Sequence, residues 1–297
     1  MSDLVRATDP VTGRRLPVCR EAVLERLHAA GDRRGARAVQ RLPVRPDGVL
    51  DPDVVDAVLL RCHVELQRLS EEIQQGRRVA DLLSPLLAAV RSVTGVERPR
   101  VVDVGCGLGY VVRWLSWHRP VGPVELVGCD FDASLVVEST RLANAERLDC
   151  TFLVADALSL TQPADVVIST GFLHHLRGPD LVSFFARQEA LPAIAHWDVA
   201  TGPLTSIGAR LFHRARMREP LARHDGVVSA RRAYDDHELV AAVRAGAPLL
   251  APLVVDAAPG RNPLVAVIRP VLGLRPDLVE PFLDCCSPAL RRRVSPL

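Results

Sequence analysis

Lysine is absent from this chain of 297 residues: all 37 of its basic residues are arginine. Together with abundant Ala, Val, Leu and Pro, that reads as the composition of a GC-rich coding sequence. A single arginine is therefore weaker evidence of phosphate recognition here than elsewhere. Aromatic residues make up only 4%, which leaves little material for stacking single-stranded bases. Net charge is +2 at pH 7, too small to imply a nucleic-acid partner by itself. The charge-free stretches are short and interrupted by Pro or Gly, so no membrane span is expected. The first residues, MSDLVRATDPVTGRR, hold no apolar signal core; a cytoplasmic location without a membrane partner is expected. The seven cysteines are an odd number, two of them adjacent at Cys285 and Cys286, and none has paired zinc or redox spacing. That pattern argues against a secreted disulfide framework, and no metal site is expected.

Apolar residues are plentiful at 48%, ample for a packed core. The length suits one α/β domain with an appendage, or two modest domains. The most informative stretch is VVDVGCGLGY at 101–110. Val101, Val102 and Val104 read as a buried strand that runs into Gly105, Gly107 and Gly109, after which Val111 to Leu115 read as a helix. Such a junction turns sharply and brings bare backbone close to a ligand. The last small residue that a dinucleotide-binding loop requires is replaced by Tyr110, which disfavours a nicotinamide enzyme.

Three further apolar runs end in informative residues. The run 124–128 ends at Cys129-Asp130, twenty-one residues beyond Gly109, where an acid can accept hydrogen bonds from ribose hydroxyls. The run 150–154 ends at Ala155-Asp156-Ala157, and 165–170 leads through Thr170 into Gly171-Phe172-Leu173-His174-His175. With Asp103 inside the first run, this ordered set resembles the class I S-adenosylmethionine-dependent methyltransferases over roughly residues 99–270. The resemblance implies S-adenosylmethionine as cofactor. It implies that Gly105 and Gly107 pass under the methionine moiety, that Cys106 and Gly109 belong to the same cofactor-binding set, and that Asp103 orients its ammonium. On the same grounds Asp130 holds the ribose, Asp156 and Ala157 face the adenine, and Thr170 belongs to the cofactor-binding set. Phe131 either packs on the adenine or lies in the core.

Strand and helix patterns alternate at 100–104, 110–118, 124–129, 133–147, 150–155, 165–170, 179–189 and 193–199, implying a parallel sheet with helices on both faces. Two last runs, 249–255 and 264–268, fit a sixth strand and an antiparallel seventh. The fold class is therefore α/β, a doubly wound Rossmann-like sheet of seven strands, mostly parallel with an antiparallel last strand. Residues 1–98 form a helical region before it, 99–270 the methyltransferase domain with an insertion at 201–234, and 271–297 a helix or tail. Asp51-Pro52 is a helix start, after which Val55, Leu59, Cys62, Leu66, Leu69 and Ile73 form one apolar stripe. His63 and Glu65 fall off that stripe and read as solvated surface. A second helix is expected from 77 to 93. The N-terminal helices read equally as a cover for the cleft and as a structural appendage.

Acceptor chemistry is less legible. His174 or His175, at the carboxyl edge of the sheet, are candidates to take a proton from the acceptor, or merely to begin and pack the next helix. His-His without further ligands is not a metal motif, and His196 adds no support. Between Thr201 and Tyr234 lie seven arginines against two acids. Arg214 and Arg218, taken as one helical turn apart, read as contacts for an anionic substrate or as a solvated basic face. Neither Asn-Pro-Pro-Tyr nor Pro-Cys follows the fourth strand, which disfavours exocyclic amino and cytosine C5 methylation, and DNA is not expected. The expected function is methyl transfer by in-line displacement to a small-molecule or anionic acceptor. An RNA methyltransferase and a non-catalytic cofactor-binding regulator or scaffold are the alternatives.

Overall fold

In the computed structural model, which describes residues 2–8, 15–199, 201, 212–256 and 268–296, the valine-rich run forms strand β1, Arg100–Val104, deep in a mixed sheet. The others are β2 (Glu125–Asp130), β3 (Thr151–Val154), β4 (Val166–Thr170), β5 (Ala193–Val199), β6 (Ala251–Val255), β7 (Ile268–Leu274) and β8 (Val294–Ser295). Their spatial order is β8-β6-β7-β5-β4-β1-β2-β3. Strands β3, β2, β1, β4 and β5 run parallel. Strand β7 is antiparallel to both β5 and β6. The sheet thus has eight strands rather than seven, because the tail returns and pairs Val294 and Ser295 antiparallel to β6.

The central strands read as continuous apolar runs because helices cover both faces. Alternation sends Val101 to one core with Leu83, Leu86, Leu87, Ile168 and Trp197. Val102 goes to the other, with Phe184, Phe185, Ile194 and Val243. The antiparallel strand begins at Ile268 and runs through Pro270 to Leu274. Residues 264–267 of the expected run, and the hairpin-like link at 259–262, lie outside the described residues. Pro270 lies inside this strand although proline cannot donate to a ladder. It is tolerated because it pairs with Trp197 of β5 beyond the stretch where β6 pairs the other edge, which ends at Val271.

Contact density divides the chain into two compact units, residues 1–69 with 202–231 and residues 70–201 with 232–297. The second holds the sheet. The first is helical, built on Arg20–Ala29, Arg33–Gln40 and most of Pro52–Glu72. Val23, Leu27, Val39, Leu59 and Cys62 pack there with Met217, Leu221 and Ala222. Asp51 caps the Pro52–Glu72 helix as expected, its carboxylate accepting from the Asp53 N–H at 3.0 Å. The apolar stripe holds at Val55, Leu59 and Cys62 but fails at Leu66, which is exposed. Ile73 lies beyond the helix end at Glu72. Glu65 is more than solvated surface: its carboxylate accepts the backbone N–H groups of Arg218 (2.9 Å) and Glu219 (3.2 Å), just ahead of the Pro220–Arg232 helix. The next helix, Gln75–Thr94, stops on Gly95 in the left-handed conformation. All seven cysteines are free thiols. No described helix is long and apolar enough to cross a membrane.

Candidate active site

The carboxyl edge of β1 to β5 gathers most of the residues singled out in the sequence. Gly105, Gly107 and Gly109 all have positive φ, at 67°, 55° and 67°, so each turn of the loop uses a conformation that side chains disfavour. What fills the space beside two of them is aromatic. A Cβ built on Gly105 would lie 2.5 Å from the Phe172 ring, and one on Gly109 would lie 2.1 Å from Phe152. The glycines thus let Phe172, from the segment after β4, seat against the β1 loop. That contact carries the turn bearing His174 and His175 to the glycine loop.

Hydrogen bonds lock the loop to β2. The Cys106 N–H donates to the Cys129 carbonyl at 3.0 Å. The Gly107 N–H donates to Asp130 Oδ2 and the Asp132 N–H to Asp130 Oδ1, both at 2.9 Å. Asp130 is buried, so it organises the loop whatever else it holds. Beside it Asp103 is buried too, and its Oδ1 has no hydrogen-bond partner. Burial, reinforced by the negative charge of Asp130, pushes the Asp103 carboxyl up to about 8. A buried acid in that condition is kept neutral near pH 7 and stands ready to ionise beside a cation.

A consequence can be measured without ligand. The folded value lies above the unfolded one, so between about pH 4 and pH 8 only the folded state keeps this proton. Stability then falls as pH rises through that window. Asp103→Asn is expected to remove this part of the slope, read as melting temperature against pH for both proteins. Identical slopes would show that Asp103 is ionised in the free protein.

The remaining positions are less uniform. Asp156 is exposed, and its carboxylate accepts the Leu158 N–H at 2.9 Å, capping the 3-10 turn Ala157–Ser159. Phe131 is 47% exposed, which excludes the core role. Thr170 closes β4, and the Gly171 N–H donates to the Trp197 carbonyl at 2.7 Å. Arg214 and Arg218 belong to the helical unit and are exposed. Helical structure around Arg214 ends at residue 216, so the two are not one helical turn apart.

His174 and His175 part company. His175 is exposed, its ring 4.4 Å from that of His174. His174 is buried. Its Nδ1 lies 2.8 Å from Asp198 Oδ1, and its backbone N–H donates to Asp198 Oδ2 at 2.8 Å. Burial alone would raise the Asp198 carboxyl, but the His174 ring and the N–H groups of Val199 and His174 outweigh it and hold it below the usual range. The sequence reading passed over Asp198. Its one signal is an acid next to the end of a mostly apolar strand, and nothing local ties it to a residue 24 positions earlier. His196 is equally buried but fully engaged: Ser169 Oγ lies 2.9 Å from Nδ1 and Gln188 Oε1 lies 3.0 Å from Nε2. Burial pushes it down to about 3, so it stays neutral and ties β4 to β5. Among the described residues no three His, Cys, Asp or Glu side chains are placed to hold a metal ion.

A family profile described as "Methyltransferase domain" matches residues 101–191. Solved structures similar to the chain include an S-adenosylmethionine-dependent methyltransferase from Aquifex aeolicus, at 16% identity, covering 68% of this chain and 98% of that one with a TM-score of 0.43. Magnesium protoporphyrin IX methyltransferase from Synechocystis is 14% identical, covering 86% and 99% with a TM-score of 0.46. Human N-acetylserotonin methyltransferase is 14% identical, covering 72% and 55% with a TM-score of 0.49. No curated protein matches the sequence. The match to a methyltransferase domain over residues 101–191 thus falls on the part of the sheet that runs from β1 through β4, with the glycine loop at the end of β1.

Proposed function

We propose that the protein binds S-adenosylmethionine at the carboxyl edge of β1 to β4 and transfers its methyl group in line to a small-molecule acceptor. The observation that carries this reading is Asp103: a buried carboxyl oxygen without a partner, beside the loop where the cofactor's ammonium would lie. An incoming cation satisfies that oxygen and stabilises its ionised form. Asp130 supplies acceptor oxygens for the ribose hydroxyls, and Phe131, Asp156 and Ala157 border the adenine. Gly107 brings bare backbone to the methionine moiety. The cofactor, when bound, supplies an electrophilic methyl on a sulfonium. The residues of the chain hold it fixed relative to the acceptor, and positioning of this kind supplies several kcal/mol of catalysis.

Calorimetry tests the reading directly. S-adenosylmethionine and its demethylated product are expected to bind with release of about one proton at pH 7, as Asp103 ionises, seen as a dependence of the binding enthalpy on buffer. NAD is expected not to bind. Binding of NAD with no response to either methionine nucleoside would sink the assignment. Tight cofactor binding with no turnover across a broad acceptor screen would favour the regulatory alternative.

A further inference from the structure

We infer that His174 is the general base of the transfer, that Asp198 positions it, and that the group it serves is a phenolic hydroxyl of the acceptor. The inference rests on the proposed methyl transfer and goes beyond it in naming the acceptor chemistry. A carboxylate only accepts, so the 2.8 Å contact with Asp198 Oδ1 places the hydrogen on His174 Nδ1. Nε2 is then the lone-pair nitrogen. Asp198 is itself fixed, with the Val199 N–H at 2.6 Å on Oδ1 and the His174 N–H at 2.8 Å on Oδ2. Orientation and tautomer of the imidazole are therefore set before an acceptor arrives, and an imidazolium formed in the reaction would meet a carboxylate already held ionised. The turn that carries His174 is anchored to the cofactor loop through Phe172 and Gly105. The other titratable neighbours do not compete for the role. His175 is exposed, and His196 is bonded on both nitrogens.

The chemistry of the acceptor follows from what such a base can do. A carboxylate acceptor is already ionised and an amine attacks through its own lone pair, so neither needs a proton removed before transfer. A thiol is partly ionised near neutrality and strongly nucleophilic unaided. A phenol, near pKa 10, keeps its proton at neutral pH, and that proton becomes easier to remove as the oxygen loses charge to the methyl group. An aliphatic hydroxyl, closer to water at roughly 15.7, holds a proton much harder for the same base to remove than a phenol's. In the balanced step the O–H proton passes to Nε2 as the oxygen–methyl bond forms and the sulfur–methyl bond breaks. The sulfonium charge is lost, an imidazolium charge appears beside Asp198, and the proton is later released to water.

The test uses the full-length protein with phenol, benzenethiol and aniline as matched probes, and 15N NMR of its histidine rings. In the wild type the His174 signals should report hydrogen on Nδ1, and Asp198→Asn should shift them towards the other tautomer, with no acceptor present. S-adenosylmethionine should convert phenol to its methyl ether. His174→Gln and Asp198→Asn should lower kcat for phenol by about 10²–10⁴-fold, flatten the acid limb of the pH–rate profile and leave the cofactor Kd within about twofold. Phenol methylation unaffected by His174→Gln overturns the proposal. So does methylation of benzenethiol or aniline alone, or the absence of ether from a protein that binds the cofactor. Failure to bind the cofactor overturns the underlying functional reading instead. Should Asp198→Asn fail to fold, His174→Gln and the wild-type NMR spectrum decide the matter.

Discussion

Asp130→Ala is expected to weaken cofactor binding and, unlike a simple contact deletion, to destabilise the free protein as well. The carboxylate accepts the N–H groups of Gly107 and Asp132 inside a buried site, and removing it strands both donors. A buried donor left without a partner costs about 1–3 kcal/mol, so a loss of roughly 2–4 kcal/mol of stability is expected in thermal or denaturant unfolding. Losing charge-assisted bonds to the ribose hydroxyls should weaken binding by a further 1–3 kcal/mol or so, about 5- to 150-fold in Kd. A second readout separates the roles. The charge on Asp130 helps raise Asp103, so in the variant Asp103 should ionise at lower pH and the proton release on binding should shrink. A folded variant with unchanged Kd would show that Asp130 serves only the loop.

Gly105→Val is expected to abolish measurable cofactor binding, a loss of roughly 100-fold or more, and to lower stability by about 2–5 kcal/mol. Two costs combine. The left-handed conformation, φ 67°, costs a β-branched residue on the order of 1–2 kcal/mol. The new side chain also meets the Phe172 ring, 2.5 Å from an ideal Cβ, and overpacking of that kind costs about 1–3 kcal/mol more. Gly171 supplies the control, for it has the same φ of 67° with nothing within 4 Å of a Cβ. Gly171→Ala should therefore show the conformational cost alone. Adding Phe172→Ala to Gly105→Ala should recover part of the lost stability, a coupling that unfolding midpoints of the two single variants and the double variant would measure. Strict additivity would mean the ring gives way freely and the glycine is required by backbone geometry only.

Much of this molecule is local in origin. Runs such as Val101 to Val104 and Ala193 to Val199 are mostly apolar because both faces of the sheet are covered, and helix signals such as Asp51-Pro52 and Gly95 act within a turn. The succession of strands along the chain and the glycine loop followed from those patterns, as did the acids at the ends of β2 and β3. What lay beyond reach depends on residues distant in sequence. The two-residue β8 forms only because β6 offers it an edge, and the strand through Pro270 survives because one side of it there is unpaired by β6. Residues 217–222 pack with the N-terminal helices through apolar contacts across some 150 positions, and Glu65 holds backbone donors 153 and 154 residues away. The same holds at the site. From the letters alone His174 and His175 were interchangeable, and Asp198 was only the end of a strand. Burial of one ring, exposure of the other and a carboxylate brought against Nδ1 by the neighbouring strand are what separate them. Short-range patterning chose the elements because each is stabilised by its own periodicity and caps. Tertiary structure chose the chemistry, because desolvation and charge pairing exist only once distant strands stand side by side.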